Sequence, residues 1–136
     1  MPHRLRGSAT VELALLAPIL GLFLVGLAAI AVVVQAELGL VAVVEEASHA
    51  AAHSPTADQA IVDGVDRGQQ VGAGYALRNG TLQITIDPSA FGPGGSVGAA
   101  ATYRILGSDV PLLGLVGLDL ERRHAEPVAR FRSFAP

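Results

Sequence analysis

Glu12 is a lone carboxylate at the mouth of an apolar run, because the 22 residues that follow it, Leu13 to Val34, carry no charge. On insertion scales a carboxylate in the apolar part of a membrane helix costs up to about 2.5–3.5 kcal/mol at the bilayer centre and less near an end, so such a group is usually kept for a partner. The chemistry open to Glu12 is therefore ion pairing. Glu45, His49 and His53 recur every four residues, which sets a carboxylate and two imidazoles on one helical face, the layout of a transition-metal site. Neither a fourth ligand nor an HExxH spacing accompanies them, so a solvated face is expected and no metal is assigned. Ser48 and His49 are adjacent on a helix and point apart, which removes them as a nucleophile pair. Gly72-Ala73-Gly74 lacks a preceding strand and a third glycine, so it is no phosphate-binding turn. With no cysteine, thiol catalysis, cysteine-ligated zinc and iron–sulfur sites are excluded. No arrangement suggests an enzyme, and no cofactor is expected.

The element that must position Glu12 is the run itself. A hydrocarbon core about 30 Å thick is crossed by about 20 apolar residues in helix, and Leu13–Val34 meets that length. A secretory signal has an apolar region of only about 7–15 residues, yet Val34-Gln35-Ala36 ends in small residues, which keeps cleavage after Ala36 as an alternative. Arg4 and Arg6 precede the run, and Glu37, Glu45 and Glu46 follow it. By the positive-inside rule the amino end is cytoplasmic and residues after Val34 are extracytoplasmic. Alanine and long side chains extend helical character past Val34, so one helix is expected over 8–53, with 13–34 transmembrane. At 1.5 Å per residue such a helix measures about 69 Å, and Pro18 should kink it. Ala17 and Gly21, four apart on one face, would let neighbouring helices approach closely in lipid.

After Pro55 about 80 residues remain, enough for one small domain. From Gln35 onward there are seven arginines and eleven acids, a net charge of −4, which is not a nucleic-acid surface. Ser54-Pro55 reads as a helix N-cap with proline at the first helical position. Ala57, Ala60, Ile61, Val65, Gly68 and Val71 follow at spacings of three and four, defining a second helix that Gly64 and Gly68 weaken. Asn79-Gly80 is a turn signal; Leu82, Ile84 and Ile86 then alternate with Thr81, Gln83 and Thr85 as a half-buried strand. A loop over 87–95, a second strand over 97–104, an apolar connector over 110–118 and a third alternating segment from Leu118 complete a small antiparallel sheet. Leu112, Leu113, Leu115 and Val116 of the connector are read as core or sheet cover, with an exposed contact for a partner protein as the alternative.

Arg6-Gly7-Ser8-Ala9-Thr10-Val11-Glu12-Leu13 resembles the prepilin-peptidase motif, a glycine followed by a glutamate at the fifth position after it. Farther on, Val97-Gly98-Ala99-Ala100-Ala101-Thr102-Tyr103, Pro111-Leu112-Leu113 and Leu118-Asp119-Leu120 are similar to the strand, connector and returning strand of TadE-like pseudopilins of the tight-adherence (Flp) type IV pilus system. Leucine at 13 stands where Flp pilins usually have tyrosine and relatives often phenylalanine, and the stretch after Val34 lacks the arginines common in the family. The resemblance implies a leader over 1–7, a scissile bond between Gly7 and Ser8, and Glu12 as fifth residue of the mature chain. Cleavage would place a new ammonium at Ser8, four residues from Glu12 and on its side of the helix. A neighbouring subunit's amine could take its place in an assembly, so that Glu12 sets register.

The resulting expectation is an α+β, pilin-like chain: a long transmembrane helix over 8–53 and a small extracytoplasmic module over 54–136 of one helix and a three-stranded antiparallel sheet. Its expected role is that of a minor pilin in the inner membrane, in pilus assembly, initiation or capping. Its expected partners are other pilins, a prepilin peptidase, the inner-membrane assembly platform and membrane lipid, without nucleic acid. The alternatives are an uncleaved single-pass anchor with a ligand-binding domain and a soluble exported protein released after Ala36.

Overall fold

The computed structural model describes residues 6–77, 81–110 and 117–129. They form α1 (Arg6–His53), α2 (Ala57–Gly74), β1 (Leu82–Asp87), β2 (Ser96–Ile105), a single 3-10 turn (Gly107–Asp109) and β3 (Leu118–Pro127). The strands make one antiparallel sheet in the order β1-β2-β3. Leu82 stands opposite Tyr103, which stands opposite Leu120. This is the α+β architecture expected from the sequence: a long apolar helix, a second helix and a three-stranded sheet.

α1 is one helix of 48 residues that continues through Pro18. Its last third carries apolar residues at spacings of three and four, and Leu40, Val43, Val44, Ala47, Ala51 and Ala52 are buried there. This one-sided stripe is what a helix needs to close a core. α2 runs back along it, and the sheet covers the same face, where Val97, Ala99, Ala101, Tyr103 and Ile105 of β2 alternate inward. Alanines at 99 and 101 keep β2 thin where α1 crosses it.

The meeting of α2 with β1 differs from the apolar face read from sequence. The buried residues of α2 are Ala60, Gly64, Gly68 and Gly72, while Ile61 is 39% exposed and Val62 52%. Each glycine receives one inward residue of β1. A methyl built on Gly64 would stand 2.8 Å from Ile86 Cδ1, one on Gly68 2.7 Å from Ile84 Cδ1, and one on Gly72 2.5 Å from Leu82 Cδ2. Four residues of helix rise about 6 Å and two of strand about 6.7 Å, so the repeats stay in step over three contacts. The glycines that weaken α2 as a helix are its packing surface.

Two local expectations are corrected. The N-cap of α2 is Thr56, whose Oγ1 accepts the Gln59 N–H at 3.2 Å. Ser54 is buried, donates to Asp63 Oδ2 at 2.6 Å, and its hydroxyl also reaches Ala50 O at 3.2 Å; it therefore stitches the end of α1 to α2, and Pro55 lies before the helix. The turn after Gly74 places Ala76 at φ 59°. Leu77 N–H donates to Gly72 O (2.9 Å) and Ala76 N–H to Ala73 O (3.1 Å), a Schellman ending with alanine where glycine is usual. Asn79-Gly80, most of the 110–118 connector with Leu112, Leu113, Leu115 and Val116, and residues beyond 129 lie outside the described residues.

Candidate functional site

Gly7, Ser8, Glu12, Ala17, Pro18 and Gly21 all lie on α1. Glu12 is exposed, and among the described residues no partner meets its carboxylate. At 100° per residue, Ser8 and Glu12 share one side of the helix, while Ala17 and Gly21 point about 140–180° away. A methyl on Gly21 would meet nothing within 4 Å. Ser8 and Glu12 thus fall on one side of the helix and the small-residue pair on the other.

Between them the apolar side chains are bare on every side. Leu13, Leu15, Ile19, Leu20, Leu22 and Phe23 are 61–68% exposed. A helix apolar all round is stable where its whole circumference meets an apolar surrounding. The segment is long and apolar enough to cross a membrane.

Above Val34 the helix is held by polar groups as well as core. Arg122 of β3 pairs with Glu37. Arg67 of α2 donates to Glu46 Oε2 through Nε (2.9 Å) and Nη2 (2.7 Å). By register, Arg122, His124 and Glu126 oppose the inward Ala101, Ala99 and Val97, so β3 turns a charged row toward α1. Glu126 sits 3.7 Å from His49 Nδ1 and 3.4 Å from His124 Nε2. Sequence periodicity missed this row because its positions follow strand alternation while its residue types are polar.

The spacing of Glu45, His49 and His53 does place the histidines together, with ring centroids 4.3 Å apart. His53 Nδ1 lies 2.8 Å from the His49 carbonyl, however, and among the described residues no group of three or more candidate ligands is arranged to hold a metal. Asp63 is held below the ordinary carboxylate value by hydrogen bonds from Ser54 and then Gln59.

Residues 7–49 match the family model described as TadE-like protein. The match starts at Gly7, takes in Glu12 and the whole bare segment, and ends within the packed part of α1; α2 and the sheet lie outside it. The resemblance read from the sequence is borne out over this stretch. No curated protein and no solved structure matches the chain. The likeness to TadE-like proteins, a structural, pilus-associated family, is thus to this stretch of α1.

Proposed function

We propose that this chain is a TadE-like minor pilin of the tight-adherence pilus. It enters the inner membrane through residues 13–34 with its amino end cytoplasmic, loses residues 1–7 to a prepilin peptidase, and carries the module over 54–136 on the outer side. There it initiates, caps or connects the fibre, in contact with other pilins and the assembly platform. The observation that carries this reading is the division of α1: a run of apolar side chains exposed from Val11 to Leu27 leads directly into a segment that is the wall of a folded core.

Glu12 fits this role. Its carboxylate lies where the amine freed at Ser8, on its own chain or a neighbour's, can neutralise it, and pairing in an apolar surrounding repays desolvation only when partner and geometry are supplied. The opposed pair Ala17 and Gly21 offers a second neighbour a close approach. Replacing Glu12 by alanine is expected to leave the protein in the membrane and folded but to reduce its incorporation into the fibre; normal incorporation would remove the register role. Amino-terminal sequencing of the mature protein tests the whole reading. Ser8 is the expected first residue, whereas Met1 would mean an uncleaved anchor and Glu37 a secreted domain.

The core also supports membrane retention over release. Ala36 is 5% exposed in the core, and Ala29, Val32 and Val33 pack against it. A cut after Ala36 would remove part of the wall that the module rests on.

A further inference from the structure

Where α1 leaves its bare segment, a groove of about 260 Å³ opens between Val32, Gln35 and Ala36 on one side and Tyr75, Leu77 and Tyr103 on the other. Its level on the helix follows from length. Counted from Leu13, the roughly 20 residues that cross a hydrocarbon core end near residue 32. Val32 and Val33 are already partly covered by the module, and so is Ala29 one turn lower. No free stalk separates the module from the depth at which hydrocarbon gives way to headgroups.

The chemistry of this end fits that depth. Tyrosine, with an apolar ring and a polar tip, collects at membrane interfaces, and Tyr75 is 40% exposed. Leu38 on α1 is 61% exposed and Leu118, where β3 begins, 43%. Ala76 keeps a methyl in the groove lining at φ 59°, a conformation that costs an alanine roughly 1–2 kcal/mol and a glycine nothing. Among the described residues, charges near this end are paired: Glu37 with Arg122, and Arg104 Nε with Asp119 Oδ1 at 3.5 Å. The groove is also continuous with the bare face of α1 through Val32.

We propose that this end of the module is a membrane-interface contact and that the groove takes the glycerol and upper acyl portion of a bilayer phospholipid. The inference rests on the reading that α1 crosses the bilayer. It makes the module sit on the lipid surface, with the top of α2 facing away.

The chain has no tryptophan, so single-tryptophan variants of the full chain report position without background. The protein is reconstituted in phosphatidylethanolamine–phosphatidylglycerol vesicles containing phospholipid brominated either high or low on its acyl chains. The Leu22→Trp variant should be quenched, most strongly by the low bromines. The Tyr75→Trp variant should emit at shorter wavelength and lose emission mainly to the high bromines. The Val62→Trp variant, about 20 Å farther up α2, should lose none. Leu118→Trp reports the same end should Tyr75→Trp disturb the fold. If Tyr75→Trp and Leu118→Trp behave like Val62→Trp while Leu22→Trp is quenched, the inference is overturned and the membrane reading stands. If Leu22→Trp is itself unquenched, the membrane reading falls and the inference with it.

Discussion

Between Val11 and Val34, α1 leaves Leu13, Leu15 and Phe23 about two-thirds exposed, whereas between Ala36 and Ala52 the same helix hides Leu40, Val43, Ala47 and Ala51 completely. Both segments are rich in leucine, valine and alanine, so hydrophobicity alone does not separate them. The lower one is apolar around its circumference beyond Glu12 and stands clear of the core until Ala29, Val32 and Val33 at its upper end. The upper one breaks its circumference with Glu37, Glu45, Glu46 and His49, keeps small residues where other elements cross, and so has one face to bury. A long helix can thus serve two solvents when the angular distribution of its side chains, and not their average character, changes along its length.

The sharpest way to break this comparison is to truncate one leucine in each segment. Leu40→Ala removes a completely buried side chain and should lower module stability by about 2–5 kcal/mol, read as a drop in thermal midpoint in detergent. Leu22→Ala, at a side chain 63% exposed, should leave that midpoint unchanged. Equal losses would mean that the bare segment is covered by the module after all.

A smaller effect is expected at the glycine-lined face of α2. Gly68→Ala gains about 1 kcal/mol of helix propensity but forces a methyl against Ile84, and overpacking costs about 1–3 kcal/mol. A net loss is expected, read in urea unfolding. Ile84→Val removes the Cδ1 that the new methyl would meet, so the double variant should be more stable than the two single changes sum to. Strict additivity would show that the close approach at Gly68 is not what fixes this interface.

The smallest effect is acid-dependent. Because hydrogen bonds hold the folded Asp63 carboxyl below its ordinary value of 3.8, its contribution to stability is fully present above that value and is lost as pH falls through the folded one. Asp63→Asn should therefore flatten the acid end of the stability curve, with wild type and variant converging below pH 3.8. Parallel curves throughout would sink this assignment.

How legible these features were depended on whether they are carried by side chains. The bare segment could be read directly, since 22 uncharged residues have few other uses. Strand β1 was equally plain, because Leu82, Ile84 and Ile86 alternate with polar residues and all three turn inward. The face of α2 was not, because hydrophobic periodicity counts side chains and this surface consists of their absence. The signal is nonetheless present in sequence: Gly64, Gly68 and Gly72 repeat every four residues, the same small-residue spacing as Ala17 and Gly21. The cap went to Thr56 over Ser54 because Asp63, nine residues on, offers Ser54 a stronger acceptor, and no local pattern reveals that. The charged inner row of β3 was hidden because Arg122, His124 and Glu126 face inward only by virtue of partners on α1 and β2.

α1 runs unbroken from Arg6 to His53, so among the described residues no break in the helix lets the module swivel. Inserting a single residue between Gly21 and Val32 would raise the module by about 1.5 Å and swing its azimuth by about 100° relative to the Glu12 side. In any bundle that grips the lower segment by a fixed side, the compass direction of the sheet is therefore encoded by the count of residues beneath it, as the pitch of a screw dictates where its head comes to rest.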